Sequence, residues 1–372
     1  MARVLGIIGG GQLGMMLAEA AARMPGQVSG VVVLDPGDGC PAALAGARQI
    51  RAAYDDGEAI MRLASECDII TYEIESGDPG HLEAASRRAE VQPPPGTLRT
   101  IQDKLLQKEF LRGRGIPVPE FEGVDPADIA GTSGRLGLPM VVKARRGGYD
   151  GRGNYMVRSA GDARAALEYF GDRPLLAERR VDFDAEISVI AARGAGGTAT
   201  YAPVENIHGD GILRTTVAPA RVPPQVAESA GRLAGDVMGA LEGAGVFGIE
   251  MFVEGGDVMV NEIAPRVHNS GHHTLQSCAT SQFEQHLRAV LGMELGPTDL
   301  LCDAVMQNIL GPAGFEGPYV PPPDPGDGVH LKMYGKAESR PSRKLGHATL
   351  VGGPAGSLLE RSRSLDLAVR PC

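Results

Sequence analysis

The sequence contains no tryptophan, and aromatic residues of every kind make up only 4 % of it. Tryptophan fluorescence therefore cannot report a ligand. There is no Cys-x-x-Cys pair: Cys40, Cys67, Cys278, Cys302 and Cys372 are scattered and odd in number. This excludes a disulfide framework and a zinc ribbon, and points to a reducing cytosol. No apolar run approaches the ~18 residues of a membrane helix. Met1-Ala2-Arg3 leads straight into an apolar, β-like run, so no secretory signal is expected. Cations are in deficit. The formal net charge of −10 argues against a nucleic-acid or membrane partner, while leaving room for a local basic pocket. There is no GKS or GKT, so a Walker A loop is excluded. Repeats and low-complexity tracts are also lacking.

Glycine and proline are abundant, 52 and 27 of 372 residues, without period. That composition implies many loops in an ordinary globular chain, long enough for two or three domains. The most informative stretch surrounds Glu250 and Glu262. Gly248–Val253 and Val258–Ile263 are short, apolar and β-prone, and Glu254-Gly255-Gly256-Asp257 between them is a turn cluster. A hairpin brings Glu250 and Glu262 together if both side chains leave one face. Asn269 follows in a loop rich in His, Ser and Gly. Two carboxylates and an amide oxygen suit a hard cation such as Mg²⁺. The nearby His268, His272 and His273 match no zinc spacing.

From the start of the chain, Val4–Ile8 is a buried-strand candidate. Gly9-Gly10-Gly11-Gln12-Leu13-Gly14 and a helical run follow, and a second strand ends at Asp35. This is the dinucleotide fingerprint in its expected context. The same glycines also serve any tight turn or any phosphate at a helix start, so both readings of the loop stay open. Strand Asp68–Tyr72 ends in Glu73-Ile74-Glu75, where open α/β sheets place ligands. Val91–Gly96 marks a first boundary. The expected parts are a doubly wound domain at 1–97, a linking helix at 98–122, a small domain at 123–200 and a large domain at 201–372. Thr100–Arg112 reads as one amphipathic helix. Strand Leu138–Lys143 leads into Ala144–Asn154, which holds four glycines and three arginines in eleven residues. Glycine N–H groups can wrap phosphate oxygens and the arginines can neutralise them. Glu205–Arg214 reads as a polar excursion, Phe315–Gly328 as a loop, and Ala348–Val351 as the closing strand.

The motifs GGGQLG, TYEIE, GGYDGRG, NIHGDGILR and NEIAPRVHNSGHHT resemble the ATP-grasp ligases, as do Lys104 in Gln-Asp-Lys, Lys143, Glu178, Glu186 and the Glu250/Glu262 pair. Within that superfamily they are similar to the N5-carboxyaminoimidazole ribonucleotide synthases, over about residues 4 to 352. The resemblance implies an α/β chain: an ATP-grasp fold, α+β in its later domains, behind an N-terminal doubly wound parallel sheet, the preATP-grasp domain. It implies ATP, bicarbonate and 5-aminoimidazole ribonucleotide as substrates, Mg²⁺ or Mn²⁺ as the metal, a homodimer, and a cytoplasmic location. Lys104 and Lys143 would contact the ATP phosphates, and Gly148, Tyr149, Asp150, Gly151, Arg152, Gly153 and Asn154 would close over them. Glu178, Arg179, Arg180 and Val181 would follow the adenine edge, and Glu186 the ribose. His208, Asn261 and Glu262 would complete the nucleotide site. Glu250, Glu262 and Asn269 would bind the metal. Arg266, His268, Asn269 and Ser270 would face bicarbonate and its phosphorylated form. Gln12, Glu73, Tyr149 and Asp150 would lie near the ribonucleotide, with Lys336, Arg343 and Lys344 on its 5′-phosphate.

Position 104 is lysine where many relatives carry arginine, which keeps the charge but loses the fork. The segment Ser-Gly-Asp-Pro-Gly after Glu75 departs from the family's apolar continuation. Two other functions compete. A formate-using ATP-grasp transformylase shares fold and cofactor, but Gln12 stands where glutamate is expected in it. An NAD-dependent oxidoreductase explains Gly9–Gly14 and Asp35, yet leaves the carboxylate hairpin and the Gly148–Asn154 loop without purpose.

Overall fold

The computed structural model describes residues 1–148 and 153–372. Tyr149, Asp150, Gly151 and Arg152, expected at the phosphates and the ribonucleotide, lie outside the described residues. Three sheets organise the chain. The first holds β1 (Arg3–Ile8), β2 (Val28–Leu34), β3 (Arg48–Ile50), β4 (Ile69–Tyr72) and β5 (Glu90–Val91), all parallel, in the order β3-β2-β1-β4-β5. Its strands are apolar runs because helices cover both faces; Leu5, Ile7, Ile8, Ile69 and Ile70 are wholly buried. The carboxyl ends of β2, β1 and β4 lie side by side, so Asp35, Gly9 and Glu73 meet at one edge.

The second sheet is antiparallel: β6 (Phe121–Val124), β7 (Met140–Ala144), β8 (Asn154–Val157) and β9 (Leu175–Arg179), in the order β6-β9-β7-β8. It has its own small core, with Met140, Val142, Val157 and Phe170 at the centre. The third sheet, also antiparallel, starts with β10 (Ala185–Gly194), β11 (Gly197–Thr200), β12 (Val204–Gly209), β13 (Ile212–Ala218), β14 (Gly245–Glu254), β15 (Asp257–Ala264) and β16 (Ala304–Leu310). After the separate strand β17 (Tyr319–Val320), it is completed by β18 (Val329–Met333) and β19 (Lys344–Val351). Its path is β15-β14-β10-β12-β13-β16-β19-β18, with β11 beside β10. β17 pairs with β20 (Arg370–Pro371).

Several expectations need correction. β10 and β11 pair in the large sheet, so the sheets part between Arg179 and Ala185, not at residue 200. Glu205–Arg214 is no excursion but the β12–β13 hairpin. Its turn residues Asp210 and Gly211 both take positive φ, 55° and 74°, the requirement of a tight Asp-Gly turn. The helix expected over Thr100–Arg112 is two, Pro95–Ile101 and Lys104–Arg112. It breaks because the Asp103 carboxylate turns back to accept from Leu105 N and Leu106 N, an N-cap inside the apparent run. Phe315–Gly328 contains β17, and a helix, Ala355–Ser364, follows β19. No helix among the described residues is long and apolar enough to cross a membrane.

The parallel sheet is welded to the large one. Val246 N–H donates to His286 Nδ1 at 3.0 Å, so the ring proton resides on Nε2, which donates to Thr71 Oγ1 at 2.8 Å. Thr71 lies two residues before Glu73, and Val246 four before Glu250. Beside this strut, Ala244 N donates to Gln92 Oε1 and Thr97 Oγ1 to the Glu242 carbonyl. Gly243 is required by close approach: a Cβ there would lie 2.1 Å from Pro94 Cδ. Replacing His286 by leucine strands a buried N–H and a buried hydroxyl. The expected loss is about 2 to 4 kcal/mol, read as a lower urea midpoint at unchanged slope.

Candidate active site

The β14–β15 turn uses Gly255 and Gly256, both at positive φ, 61° and 92°. The register it sets runs as far as Met251 opposite Val260, and a β-bulge that leaves Asn261 extra on β15 then brings Glu262 opposite Glu250, so the two carboxylates meet across the pair. β10 lies on the other side of β14, with Ser188 opposite Glu250 and Glu186 opposite Phe252. Glu186 therefore faces the same cleft, paired with His208 Nδ1 at 2.6 Å. Glu250 and Glu262 retain 28 % and 40 % of their side-chain surface: they floor a cleft and are not part of the core. Asn269, the residue after His268, whose ring reaches Glu250, is buried, and its side-chain oxygen and nitrogen both lack a partner.

Three lysines face these acids. Lys104 pairs with Glu262 at 2.5 Å. Lys143 and Lys108 hold opposite oxygens of Glu178, at 2.7 and 3.1 Å. They also fix Asn261, Lys108 through its carbonyl and Lys143 through its amide oxygen. Lys108 and Glu178 are almost wholly buried. Burial pushes the Lys108 ammonium down to about 8. Burial also works against the charge on Glu178, but Lys143 and Lys108 outweigh it and hold that carboxyl below the usual range. Glu262 is likewise held low, by Lys104 against burial. Glu250 has no such lysine. Burial, with Glu262 opposite, pushes it up to about 7. Two facing carboxylates of which one resists ionisation, with an unsatisfied amide oxygen nearby, are the chemistry of a hard-cation site.

The base of the Gly-rich loop is anchored. Arg145 makes a two-pronged bond to Asp103, at 3.0 and 2.8 Å. Arg146 reaches Asp103 at 3.5 Å and Gln102 at 3.0 Å. Two of the three arginines expected to neutralise phosphate are therefore committed to the helix start. Gly148 and Gly153 approach closely, and Gly153 takes φ +87°. Asn154 is exposed and pairs across β7 with Lys143.

At the other side of the cleft the N-terminal glycine loop wraps a carboxylate of its own chain. Gly11 N–H donates to Glu73 at 2.7 Å and Gly10 N–H to Asp35 at 2.8 Å. A Cβ on Gly9 would lie 2.7 Å from Glu73. The donors of the dinucleotide fingerprint are thus occupied internally, and the oxidoreductase reading loses its phosphate site. Burial pushes Glu73 up to about 7, against the Gly11 bond and nearby Arg266. Arg266 pairs with Glu75 at 3.0 Å. Lys336 donates to the Lys344 carbonyl and rests 5.8 Å over the Tyr334 ring. A separate hollow of about 660 Å³, between Glu19, Gln276 and Lys332, contains none of these residues.

Known proteins match this arrangement along its whole length. Residues 1–102 match the ribonucleotide synthetase preATP-grasp domain, 109–283 the ATP-grasp domain, and 304–361 the phosphoribosylaminoimidazole carboxylase C-terminal domain. The N5-carboxyaminoimidazole ribonucleotide synthase of Brucella melitensis is 43 % identical over 352 residues, which cover 93 % of this chain and 96 % of that one. The chain belongs to the N5-carboxyaminoimidazole ribonucleotide synthase family of ATP-grasp ligases. The family's Aspergillus clavatus member, solved with ATP, superposes with a TM-score of 0.90 at 36 % identity, over 97 % of this chain and 96 % of that one. Its complex with ADP and 5-aminoimidazole ribonucleotide gives 0.88 at 35 % identity, with the same coverage.

Several residues expected from the family resemblance are engaged within the chain itself. Arg179 pairs with Glu254 and Arg180 with Asp182, while Val181 is buried. Ser270 is wholly buried, its hydroxyl between Ser188 and His268. Arg343 donates to the Glu338 carbonyl. Gln12 starts the first helix, half-buried. Sequence reasoning missed Lys108. Its signal is the four-residue spacing from Lys104, which stacks both lysines on one helix face.

Five buried histidines resist protonation, chiefly through burial. His273 and His286 are pushed down to about 4 and His347 to about 3, with His268 and His272 also well below the usual range. Unfolded, all five would take protons near pH 6.5. Raised Glu73 and Glu250 oppose them, because the folded state binds those two protons from about pH 7 downward. Unfolding between about pH 6 and 5 thus takes up about three protons, and stability falls with falling pH by at most about 4 kcal/mol per unit. Urea midpoints at pH 7.5 and 5.5 without metal check this; a midpoint that holds or rises at pH 5.5 contradicts it.

Proposed function

We propose that this chain carboxylates 5-aminoimidazole ribonucleotide with bicarbonate and ATP. The products are N5-carboxyaminoimidazole ribonucleotide, ADP and phosphate, in de novo purine (IMP) biosynthesis. One observation carries the reading: the carboxylate-and-lysine face of the hairpin and the glycine-loop edge of the parallel sheet adjoin, linked by Arg266 and Glu75. A site that holds a nucleotide on one side and a second substrate on the other suits transfer through a phosphorylated intermediate.

In this reading Lys104 and Lys143 bind the ATP phosphates, and Gly148, Gly153 and Asn154 frame the segment that covers them. Glu178 to Val181 follow the adenine, and Glu186, with His208, binds the ribose. Glu250, Glu262 and the unpartnered Asn269 oxygen would hold Mg²⁺ or Mn²⁺, which supplies charge that neutralises phosphate oxygens. A bicarbonate oxygen attacks the γ-phosphorus, and ADP leaves carboxyphosphate beside Arg266, His268 and Asn269. The amine of the ribonucleotide attacks the carboxyl carbon and phosphate departs. Glu73, with its pKa near neutrality, is placed to receive the proton lost from nitrogen. Gln12 and the residues around Glu73 orient the imidazole. Lys336, Arg343 and Lys344 hold the 5′-phosphate. The acting bodies are 1–97 with its linker at 98–122, the small sheet, and the large sheet, in a cytoplasmic homodimer.

The test is ADP release from Mg²⁺-ATP with the ribonucleotide, supplying bicarbonate or formate in turn. Bicarbonate-dependent ADP release with matching product is expected, and Glu262→Gln should lower kcat by about a thousandfold. Lys336→Ala should raise the ribonucleotide KM at least tenfold with the ATP KM unchanged, as loss of one phosphate contact predicts. ADP formed only with formate would replace this reading by the transformylase.

A further inference from the structure

Behind the cleft, a line of buried polar side chains ends on His268. Thr216 Oγ1 donates to Asn206 Oδ1 at 3.2 Å, and Asn206 Nδ2 donates to Ser188 Oγ at 3.0 Å. Ser188 Oγ lies 2.8 Å from Ser270 Oγ, which lies 2.9 Å from His268 Nδ1. The far ring nitrogen, Nε2, reaches Glu250 at 3.3 Å. Ser188, Thr216 and Ser270 have no exposed surface and Asn206 only 5 %. Asn206, Ser188 and Thr216 have no part in the functional reading above, and they are too deep to touch a substrate.

The line has a direction. An amide nitrogen only donates, so Ser188 receives from Asn206 and gives its own proton to Ser270. Ser270 then gives to His268 Nδ1. A second donor, independent of how the Asn206 amide is turned, aims at the same atom: the Ser270 backbone N–H, 3.4 Å from Nδ1. A ring nitrogen that accepts carries no proton. The ring has little freedom to turn over. Gln282 grips the His268 main chain from both sides, accepting from its N–H at 2.8 Å and donating to its carbonyl at 2.7 Å. The ring also packs on Gly248, where a Cβ would lie 2.5 Å from His268 Cβ.

We propose that Asn206, Ser188 and Ser270 are positioning residues that hold His268 as the neutral tautomer with its proton on Nε2. The N–H so fixed points at the cleft floor. It serves as a hydrogen-bond donor to an anionic oxygen there. This deepens the proposed reading, in which that oxygen belongs to bicarbonate or carboxyphosphate, and its catalytic part rests on that reading.

The test is the ¹⁵N spectrum of the full chain labelled at histidine, with His268 assigned by its loss in His268→Gln. Wild type should show an unprotonated Nδ1 and a protonated Nε2. Asn206→Asp is nearly isosteric but replaces the donor at the head of the line by an acceptor. The hydroxyls should reverse, and with only the long 3.4 Å main-chain contact left to oppose it, the ring proton should move to Nδ1. In that variant kcat should fall about 10- to 100-fold while the KM for ATP stays within about twofold. A protonated Nδ1 in wild type overturns the proposal, as does an Asn206→Asp enzyme with unchanged ring signals and unchanged kcat. If wild type makes no carboxylated ribonucleotide, the functional reading fails instead, and the ring spectrum still decides the tautomer.

Discussion

Two like charges forced face to face set the terms for the rest of the molecule. The Gly255-Gly256 turn sets the pairing as far as Met251 and Val260, and the bulge at Asn261 then puts Glu262 opposite Glu250. Such a pair repels and raises the cost of ionising both. The structure answers by surrounding it unequally. Glu262 receives Lys104, whereas Glu250 receives the His268 imidazole and is pushed up to about 7.

Holding that asymmetry requires rigid surroundings. The helix Lys104–Arg112 covers the edge strand β15, with Gln107 bonded to both backbone groups of Ile263 and Lys108 to the Asn261 carbonyl. One short helix therefore blunts a sheet edge and delivers two cations to the cleft. On the opposite side the helix Gln282–Val290 does comparable work. Gln282 holds the His268 loop and His286, one turn on, ties β14 to β4. That helix is one of the ties, with the Gln92–Ala244 and Thr97–Glu242 bonds, that set Glu73 and Glu250, on different sheets, relative to one another.

The sequence revealed most where chemistry and local rules coincide. The carboxylate hairpin was legible from its turn cluster and the two short β-prone runs around it, although the bulge at Asn261 that brings Glu262 opposite Glu250 was not. The parallel sheet was legible from its apolar strands, and the family from the long motif after Glu262. What stayed hidden depends on long-range packing. Nothing local says that Gly10 and Gly11 spend their N–H groups on Asp35 and Glu73, so the fingerprint looked equally like a nucleotide loop. Asp103 was hidden inside a helical period because a cap overrides a continuous amphipathic pattern. Lys108 looked like a solvated helix charge, and only the opposite strand shows it buried. The β12–β13 hairpin was missed despite a plain local signal, the Asp-Gly turn, outweighed by the polar residues around it.

Asp103 also fixes the base of the Gly-rich segment. Its Oδ1 caps the helix that bears Lys104 and Lys108, and its two oxygens together bind Arg145 and Arg146. Lys104 N–H donates to the Arg145 carbonyl as well. The loop base and the helix that bears these lysines are therefore one rigid piece, and the base cannot lift without uncapping the helix. Gly147 and Gly153 both hold positive φ, 74° and 87°, conformations that side-chain-bearing residues resist.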